Sequence, residues 1–278
     1  MTLSVRALLR AYDLQPRKHL GQNFLVDPAA LARIVTAADL SADDVVVEVG
    51  AGLGTLTRPL AKVAGRVLAV ELDDRLVEIL HTQLVDLPNV EIVHADILSS
   101  LGFDLPHLAF KVVANLPYYI TSAVIRRFLE EKPRPYMMVL TLQREVAQRI
   151  VAQPGKMSLL ALSVQLYGQP RIVARISRSA FYPQPSVDSA VVRIDVCEQF
   201  IPELAAGIEE ALLFRVARAG FAQKRKTLRN SLSAGLGLPR DHVEEALREV
   251  KLDSSRRAQT LSLQEWADVT VALSGLLA

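Results

Sequence analysis

Four short stretches of this chain put side chains suited to ligand chemistry at the ends of apolar runs. Val45–Val49 leads straight into Gly50-Ala51-Gly52-Leu53-Gly54. A strand emptying into a glycine-rich turn lets the backbone approach a nucleotide-like ligand where a Cβ would collide. The spacing is GxGxG. The dinucleotide fingerprint GxGxxG would need glycine at position 55, where Thr55 stands. The next run ends at Glu71, 21 residues after Gly50, where an acid can accept two hydrogen bonds from ribose hydroxyls. A third run ends in His94-Ala95-Asp96, and the Asp96 carboxylate suits an adenine amino group. Any one of these acids also reads as a solvated strand-end residue. Three consecutive strands finishing this way point to one crevice, because open α/β sheets bind ligands outside the carboxyl ends of their strands.

The fourth run ends in Asn115-Leu116-Pro117-Tyr118. Pro117 forces Leu116 into an extended conformation and turns its carbonyl outward. The Asn115 side-chain carbonyl adds a second neutral acceptor, a pair suited to an exocyclic NH₂ group, and Tyr118 offers a face for a base. The tetrapeptide alone leaves open that Asn115 merely caps the following helix.

The elements that must position these residues alternate. Strand-like runs at Val45–Val49, Val67–Val70, Val90–Val93, Val112–Ala114 and Met137–Leu142 are separated by helical patterns near 55–63, 73–86 and 121–131. Near-continuous Val/Ile/Leu strands joined by helices predict a buried parallel sheet. Ile172–Ile176 and Ala190–Val196 are candidates to extend it. Asp27-Pro28 predicts a helix start, and Ser262-x-x-Glu265 a capping box for the last helix. After Cys197 the strand signal stops. The expected organisation is an α/β domain over 1–197 followed by a small helical domain over 198–278.

The 278 residues are 50% hydrophobic, 22% charged and 5% aromatic, which predicts packed cores rather than disorder. The single cysteine, Cys197, excludes a disulfide scaffold and a Cys-based zinc cluster and fits a reducing cytosol. The uncharged stretch Met157–Pro170 has 14 residues and none in the chain is longer, too short for a bilayer span. With no export signal visible, a soluble cytoplasmic protein is expected. Net charge is +2, yet residues 40–110 carry four basic and eleven acidic side chains. Residues 140–180 carry six basic and one acidic, and 214–230 six basic and none acidic. Solvated helix faces can segregate this way. A surface facing a polyanion accounts for it better.

Residues 18–25 (Lys-His-Leu-Gly-Gln-Asn-Phe-Leu), Glu48–Gly54, Glu71, Asp96, Asn115–Tyr118 and Phe181-Tyr182-Pro183-Gln184-Pro185 occur here in the order of one family. From about residue 6 to the C-terminus the chain resembles the ribosomal RNA adenine N6,N6-dimethyltransferases of the small-subunit type. The resemblance includes Phe221–Asn230. It implies a Rossmann-like S-adenosylmethionine-dependent methyltransferase sheet with a small all-helical C-terminal domain. S-adenosylmethionine is the implied cofactor, without a metal. Asn23 and Leu25 would close over it, Gly50 and its loop with Gly52 would pass its methionine end, Glu71 would take the ribose and Asp96 the adenine, and Glu48 is a further implied cofactor-binding residue. Asn115 would serve the cofactor rim and, with Leu116 and Pro117, the target amine. Tyr118 and Phe181, the latter in an exposed-looking loop, would sandwich a flipped adenine. Arg144, Lys224, Arg225, Lys226 and Arg229 are the expected RNA contacts. The implied partner is 16S rRNA of the small ribosomal subunit or its precursor, and a monomer is expected.

Three other readings remain to be weighed. A nicotinamide oxidoreductase would share the sheet and Glu71, but Thr55 and Asn115–Tyr118 count against it. A non-catalytic RNA-binding assembly factor would not need Gly50, Glu71, Asp96 and Asn115 intact. A large-subunit rRNA methylase is the nearest relative in class, and Phe221–Asn230 favours the small-subunit type.

Overall fold

Val, Ile and Leu fill the central strands because both faces of a parallel sheet are covered by helices and neither can alternate with polar residues. In the computed structural model, which describes residues 4–17, 20–99, 109–197 and 208–277, these runs form β2 (Val45–Val49), β3 (Arg66–Glu71), β4 (Val90–His94), β5 (Lys111–Asn115) and β6 (Met137–Gln143). β7 (Gly168–Ile176) and β9 (Ser189–Val196) complete a seven-stranded sheet of order β4-β3-β2-β5-β6-β9-β7. β2 lies parallel to β3 and β5, β3 to β4, and β5 to β6, whereas β9 runs antiparallel to β6. A separate two-stranded ladder pairs β1 (Phe24–Leu25) with β8 (Phe181–Tyr182).

Helices α2 (Pro28–Ala38), α3 (Thr57–Ala61), α4 (Asp74–Gln83) and α5 (Thr121–Glu130) connect the strands, and α1 (Val5–Ala11) precedes them. Asp27 caps α2 by accepting from the Ala29 N–H at 2.9 Å, with Pro28 in the first turn. Ile34 and Ala38 of α2 bury against Val46, Val113 and Val139 of the sheet. At the amino ends of the strands, Lys111 Nζ lies 3.0 Å from an Asp44 carboxylate oxygen, and both side chains are largely enclosed.

Two compact units emerge, and neither is continuous in sequence. One comprises Met1–Ala147 with Gln169–Val196, the other Gln148–Gly168 with Cys197–Ala278. The sequence suggested a single cut after residue 197. In the structure the segment from Gln148 to Gly168, with α7 (Leu159–Gln165), belongs with the helices that follow. These are α8 (Glu210–Phe221), α9 (Leu228–Leu236), α10 (Arg240–Glu249) and α11 (Leu263–Leu277). α6 (Arg144–Ile150) spans the division. In the second unit Trp266, Leu213, Leu232 and Leu247 are fully buried, and the Phe221 and Trp266 rings pack 5.1 Å apart. The α11 start is the expected capping box: Glu265 N–H donates to Ser262 Oγ, and Ser262 N–H to the Glu265 carboxylate.

Candidate active site

The chain builds β2, β3 and β4 outward in one direction and then returns to place β5 on the other side of β2. The point between β2 and β5 where the order reverses is where an open sheet leaves a crevice at its carboxyl edge. A cavity of about 200 Å³ lies there, lined by Gly50 and Gly52 after β2, Glu71 at the end of β3, Asp96 after β4, and Asn115–Tyr118 after β5. All four ligand-suited strand ends therefore meet in one place.

Backbone bonds fix the crevice floor. The Gly50 and Ala51 N–H groups donate to the Val70 carbonyl, and the Ala95 N–H to the Glu71 carbonyl. Gly52 has φ +62°, and a Cβ there would sit 3.2 Å from the Phe24 ring, so the turn needs glycine both for its conformation and for its close neighbour. That turn aims the Gly52 N–H at the Glu71 carboxylate, 2.8 Å away. The other Glu71 oxygen accepts from the Leu72 and Asp73 N–H groups at 2.9 Å. Burial pushes the Glu71 carboxyl above its ordinary value, and these three donors oppose the shift. Asp96 is exposed. One of its oxygens accepts from the Leu98 N–H, and the second has no partner among the described residues.

Asn115 ends β5 with its Nδ2 donating to the Asn23 carbonyl at 3.1 Å. One of its two amide N–H groups is thereby committed, and the side-chain oxygen is its acceptor end. Asn115 is not a helix cap: α5 begins six residues later, with Ile120 in the capping position. The Tyr118 hydroxyl lies 2.9 Å from Ser189 Oγ, leaving the half-buried ring against the cavity.

Several expected site residues sit differently from their sequence reading. Phe181 is not in an exposed loop. It is 4% exposed, lies in β8 opposite Leu25, and contributes to both the core and the cavity wall. A two-residue strand is too short for alternation to reveal. Leu25 is outside the cavity lining, with its side chain in the core beside Ile34 and Phe181. Glu48 is also outside the lining and 1% exposed. Burial raises its carboxyl to about 8, with Thr57 opposing and the Glu71 charge adding to the shift, and its buried Oε2 has no hydrogen-bond partner among the described residues.

Of the expected RNA contacts, Lys224, Arg225 and Lys226 form an exposed turn between α8 and α9. Arg229 instead pairs with Glu244 of α10 at 2.6 Å, and Arg144 lies 3.7 Å from Asp188. Lys18 and His19 fall outside the described residues. Sequence reasoning passed over Gln22 and Tyr119, which also line the cavity. Each is the immediate neighbour of a residue singled out, the only signal available for it.

A doubly wound sheet with an antiparallel strand beside β6 and a glycine turn, two acids and Asn-Leu-Pro-Tyr at its carboxyl edge defines a Rossmann-like methyltransferase. The chain belongs to the ribosomal RNA adenine dimethylase family, whose sequence profile matches residues 14–273. It is 46% identical over 275 residues to the ribosomal RNA small subunit methyltransferase A of Dehalococcoides mccartyi strain CBDB1, covering 97% of this chain and 92% of that protein. Identity to the protein of the same name from Alkaliphilus metalliredigens strain QYMF is 40%, over 95% and 94% of the two chains. Among crystal structures, the 23S rRNA methyltransferase ErmE superposes with a TM-score of 0.71 at 30% identity, over 90% of this chain and 99% of that one. A dimethyladenosine transferase from Plasmodium falciparum shares the fold, with a TM-score of 0.76 at 24% identity over 90% and 96%. No described helix is long and apolar enough to cross a membrane.

Proposed function

We propose that this protein transfers methyl groups from S-adenosylmethionine to N6 of two adjacent adenines in the 3′-terminal hairpin loop of 16S rRNA. It would act as a cytoplasmic monomer during assembly of the small ribosomal subunit. The observation that carries the reading is the convergence of Gly50, Gly52, Glu71, Asp96, Asn115 and Tyr118 on one cavity at the sheet's switch point. The assignment to the small subunit rests on relatives of that name at 40–46% identity over nearly the whole chain.

The cavity fits the cofactor on its own chemistry. Glu71, held by three backbone donors, has one lone-pair site left for a ribose hydroxyl, and the Asp96 oxygen with no partner among the described residues suits an adenine amine. Gly50 and Gly52 leave the loop without side chains where the methionine end would pass, and Asn23 walls the opposite side. When bound, the cofactor supplies an electrophilic methyl group, so the chain need not activate one.

What the chain must do is improve a poor nucleophile, because the adenine N6 lone pair is delocalised into its ring. At the first transfer the Asn115 oxygen and the Leu116 carbonyl accept from the two N6–H groups, and at the second one of them accepts from the single N6–H that remains. This favours the pyramidal amine that develops as nitrogen attacks, a stabilisation specific to the transition state. Pro117 fixes the direction of the Leu116 carbonyl. Tyr118 and Phe181 hold the base by stacking, which offsets the few kcal/mol lost when it leaves its helical stack. The methylated ammonium is acidic enough to lose its proton to water, so no general base is required. Lys224, Arg225 and Lys226 serve the RNA backbone as exposed cations.

Mass spectrometry of rRNA after incubation with S-adenosylmethionine and unmethylated small or large subunits tests the reading. N6,N6-dimethyladenosine in small-subunit rRNA is expected. Labelling of large-subunit rRNA alone would overturn the substrate, and no labelling of either would overturn the activity.

A further inference from the structure

Leu20–Phe24 forms one wall of the cavity, and this segment has almost no regular secondary structure of its own. Its position must come from what it touches. Towards β5 it is held by the Asn115 bond to the Asn23 carbonyl and by packing at Gly21. The Gly21 φ is +60°, and a Cβ there would stand 3.4 Å from the Tyr119 ring and 3.5 Å from Pro117. Past Phe24 it is held by the β1–β8 ladder. Towards β3, among the described residues, the segment's own side-chain tie is Gln22, with Arg17 just ahead of it making a longer contact to the same carboxylate.

Gln22 is used at both ends. Its Oε1 accepts from the Arg17 backbone N–H at 2.7 Å, and its Nε2 donates to Asp73 Oδ2 at 2.8 Å. The Asp73 carboxylate has no solvent-accessible surface. It also receives the Arg75 guanidinium at 3.0 and 2.7 Å, the Arg75 backbone N–H at 3.3 Å, and Arg17 Nη1 at 3.5 Å. These donors hold its carboxyl at about 2, against the desolvation that would raise it. Asp73 is thus an enclosed, permanently charged anchor. Its own backbone N–H donates to Glu71, the acid assigned to the ribose. One carboxylate therefore fixes the Gln22 wall, and the same residue's amide steadies the cofactor's ribose acceptor.

We propose that Asp73 is a positioning residue for the cofactor, acting through Gln22 to hold Leu20–Phe24 as the closed wall of the binding cavity and so setting cofactor affinity. The inference rests on reading the cavity as the S-adenosylmethionine site. Breaking the Gln22–Asp73 bond leaves the wall held by the β5 contacts, by the β1–β8 ladder and by the longer Arg17–Asp73 contact, so its β3 side loosens and the cofactor is released faster while the groups around the target amine keep their places.

The test is a charge cycle on the full-length protein, using Gln22→Glu, Asp73→Asn and the double variant. Gln22→Glu keeps the acceptor for Arg17 but faces one carboxylate with another. Combined with Asp73→Asn, it has an amide donor opposite again, so the contact is restored with its polarity reversed. Asparagine also caps a helix as well as aspartate does, so α4 keeps its start. Calorimetric titration with S-adenosylhomocysteine should show Kd rising about tenfold or more in Gln22→Glu, and the double variant recovering to within about threefold of wild type, the non-additivity expected of groups in direct contact. The KM for S-adenosylmethionine should follow Kd while kcat stays within about twofold, the pattern of lost binding shared by ground and transition states. Hydrogen exchange at residues 20–25 should quicken in Gln22→Glu and slow again in the double variant. Gln22→Glu binding like wild type, or a double variant no tighter than Gln22→Glu, would overturn the proposal. Wild-type protein with no saturable binding of either compound would instead overturn the cofactor reading itself.

Discussion

Asn115 at the end of β5 and Asn23 ahead of β1 are joined by one hydrogen bond, Nδ2 to carbonyl at 3.1 Å. The bond takes up one of the two Asn115 amide N–H groups and turns the oxygen away from Asn23, leaving it as the acceptor for a substrate. It decides which way round the amide stands, and hence which chemistry the side chain performs.

Asn115→Ala is expected to lower kcat about 10²–10³-fold, the loss typical of one preorganised group at a developing charge. Cofactor affinity should fall no more than about fivefold, since a single neutral hydrogen bond contributes about 1 kcal/mol. Rates measured with saturating S-adenosylmethionine, alongside a binding titration, separate the two. A near-normal kcat would remove Asn115 from the chemistry.

Tyr118 has a ring for stacking and a hydroxyl bound to Ser189. Tyr118→Phe keeps the ring and should retain most activity. Tyr118→Ala should weaken rRNA use by about 1–3 kcal/mol, the usual loss for one stacked base. Equal losses in the two variants would show that the hydroxyl, not the face, matters.

Glu48 gives a stability prediction with a definite sign. Its carboxyl is at about 8 in the fold against an ordinary 4.5, so between those values folding takes up a proton. Its contribution to stability therefore falls as pH rises from 4.5 to 8 and stays reduced above. Glu48→Gln has no proton to lose. Its melting temperature relative to wild type should rise from pH 5 to about pH 8 and level off above, and a pH-independent difference would contradict the burial argument.

The basic turn at Lys224, Arg225 and Lys226 should differ from Arg229, which Glu244 already neutralises. Replacing the three turn residues with alanine is expected to reduce the salt-dependence slope of rRNA binding by about 2 units, and Arg229→Ala by well under one. Filter binding across a salt series reads both. An unchanged slope in the triple variant would mean that the turn faces solvent.

Lys111 and Asp44 pair at the amino edge of the sheet, their side chains 5% and 10% exposed. Lys111→Met leaves a buried carboxylate without its cation and should cost about 3–5 kcal/mol of stability. Because the cavity is at the opposite edge, Kd for S-adenosylhomocysteine should stay unchanged wherever the variant remains folded. Denaturant titration and calorimetry check the two halves.

The strand ends of the site were legible because strand composition and the residue after each strand are both local signals. Gly50, Glu71, Asp96 and Asn115 could be read one run at a time, and the switch-point rule brought them together. The Asp27 and Ser262 caps were local in the same sense. What escaped depended on partners distant in sequence. Phe181 reads as a loop residue before Pro-x-Pro, and only its pairing with Leu25 buries it. Arg229 looks like a free cation until α10 brings Glu244 against it. Asp73 looks like an ordinary cap for α4, and its bond to Gln22, 51 positions away, carries no mark in either residue's surroundings.

Strand β9 enters the sheet between β6 and β7 and is drawn from the last stretch of its unit, Gln169–Val196. During synthesis the earlier strands can assemble on the nascent chain, but β6 has no outer neighbour until residue 189 onwards has emerged. The segment Gln148–Gly168, made before β9, must wait longer still, for the helices after Cys197. The first unit can therefore close once β9 has emerged, while the second waits for the helices after Cys197, and a chain stopped at residue 197 would carry helix α7 without the helices that complete its unit.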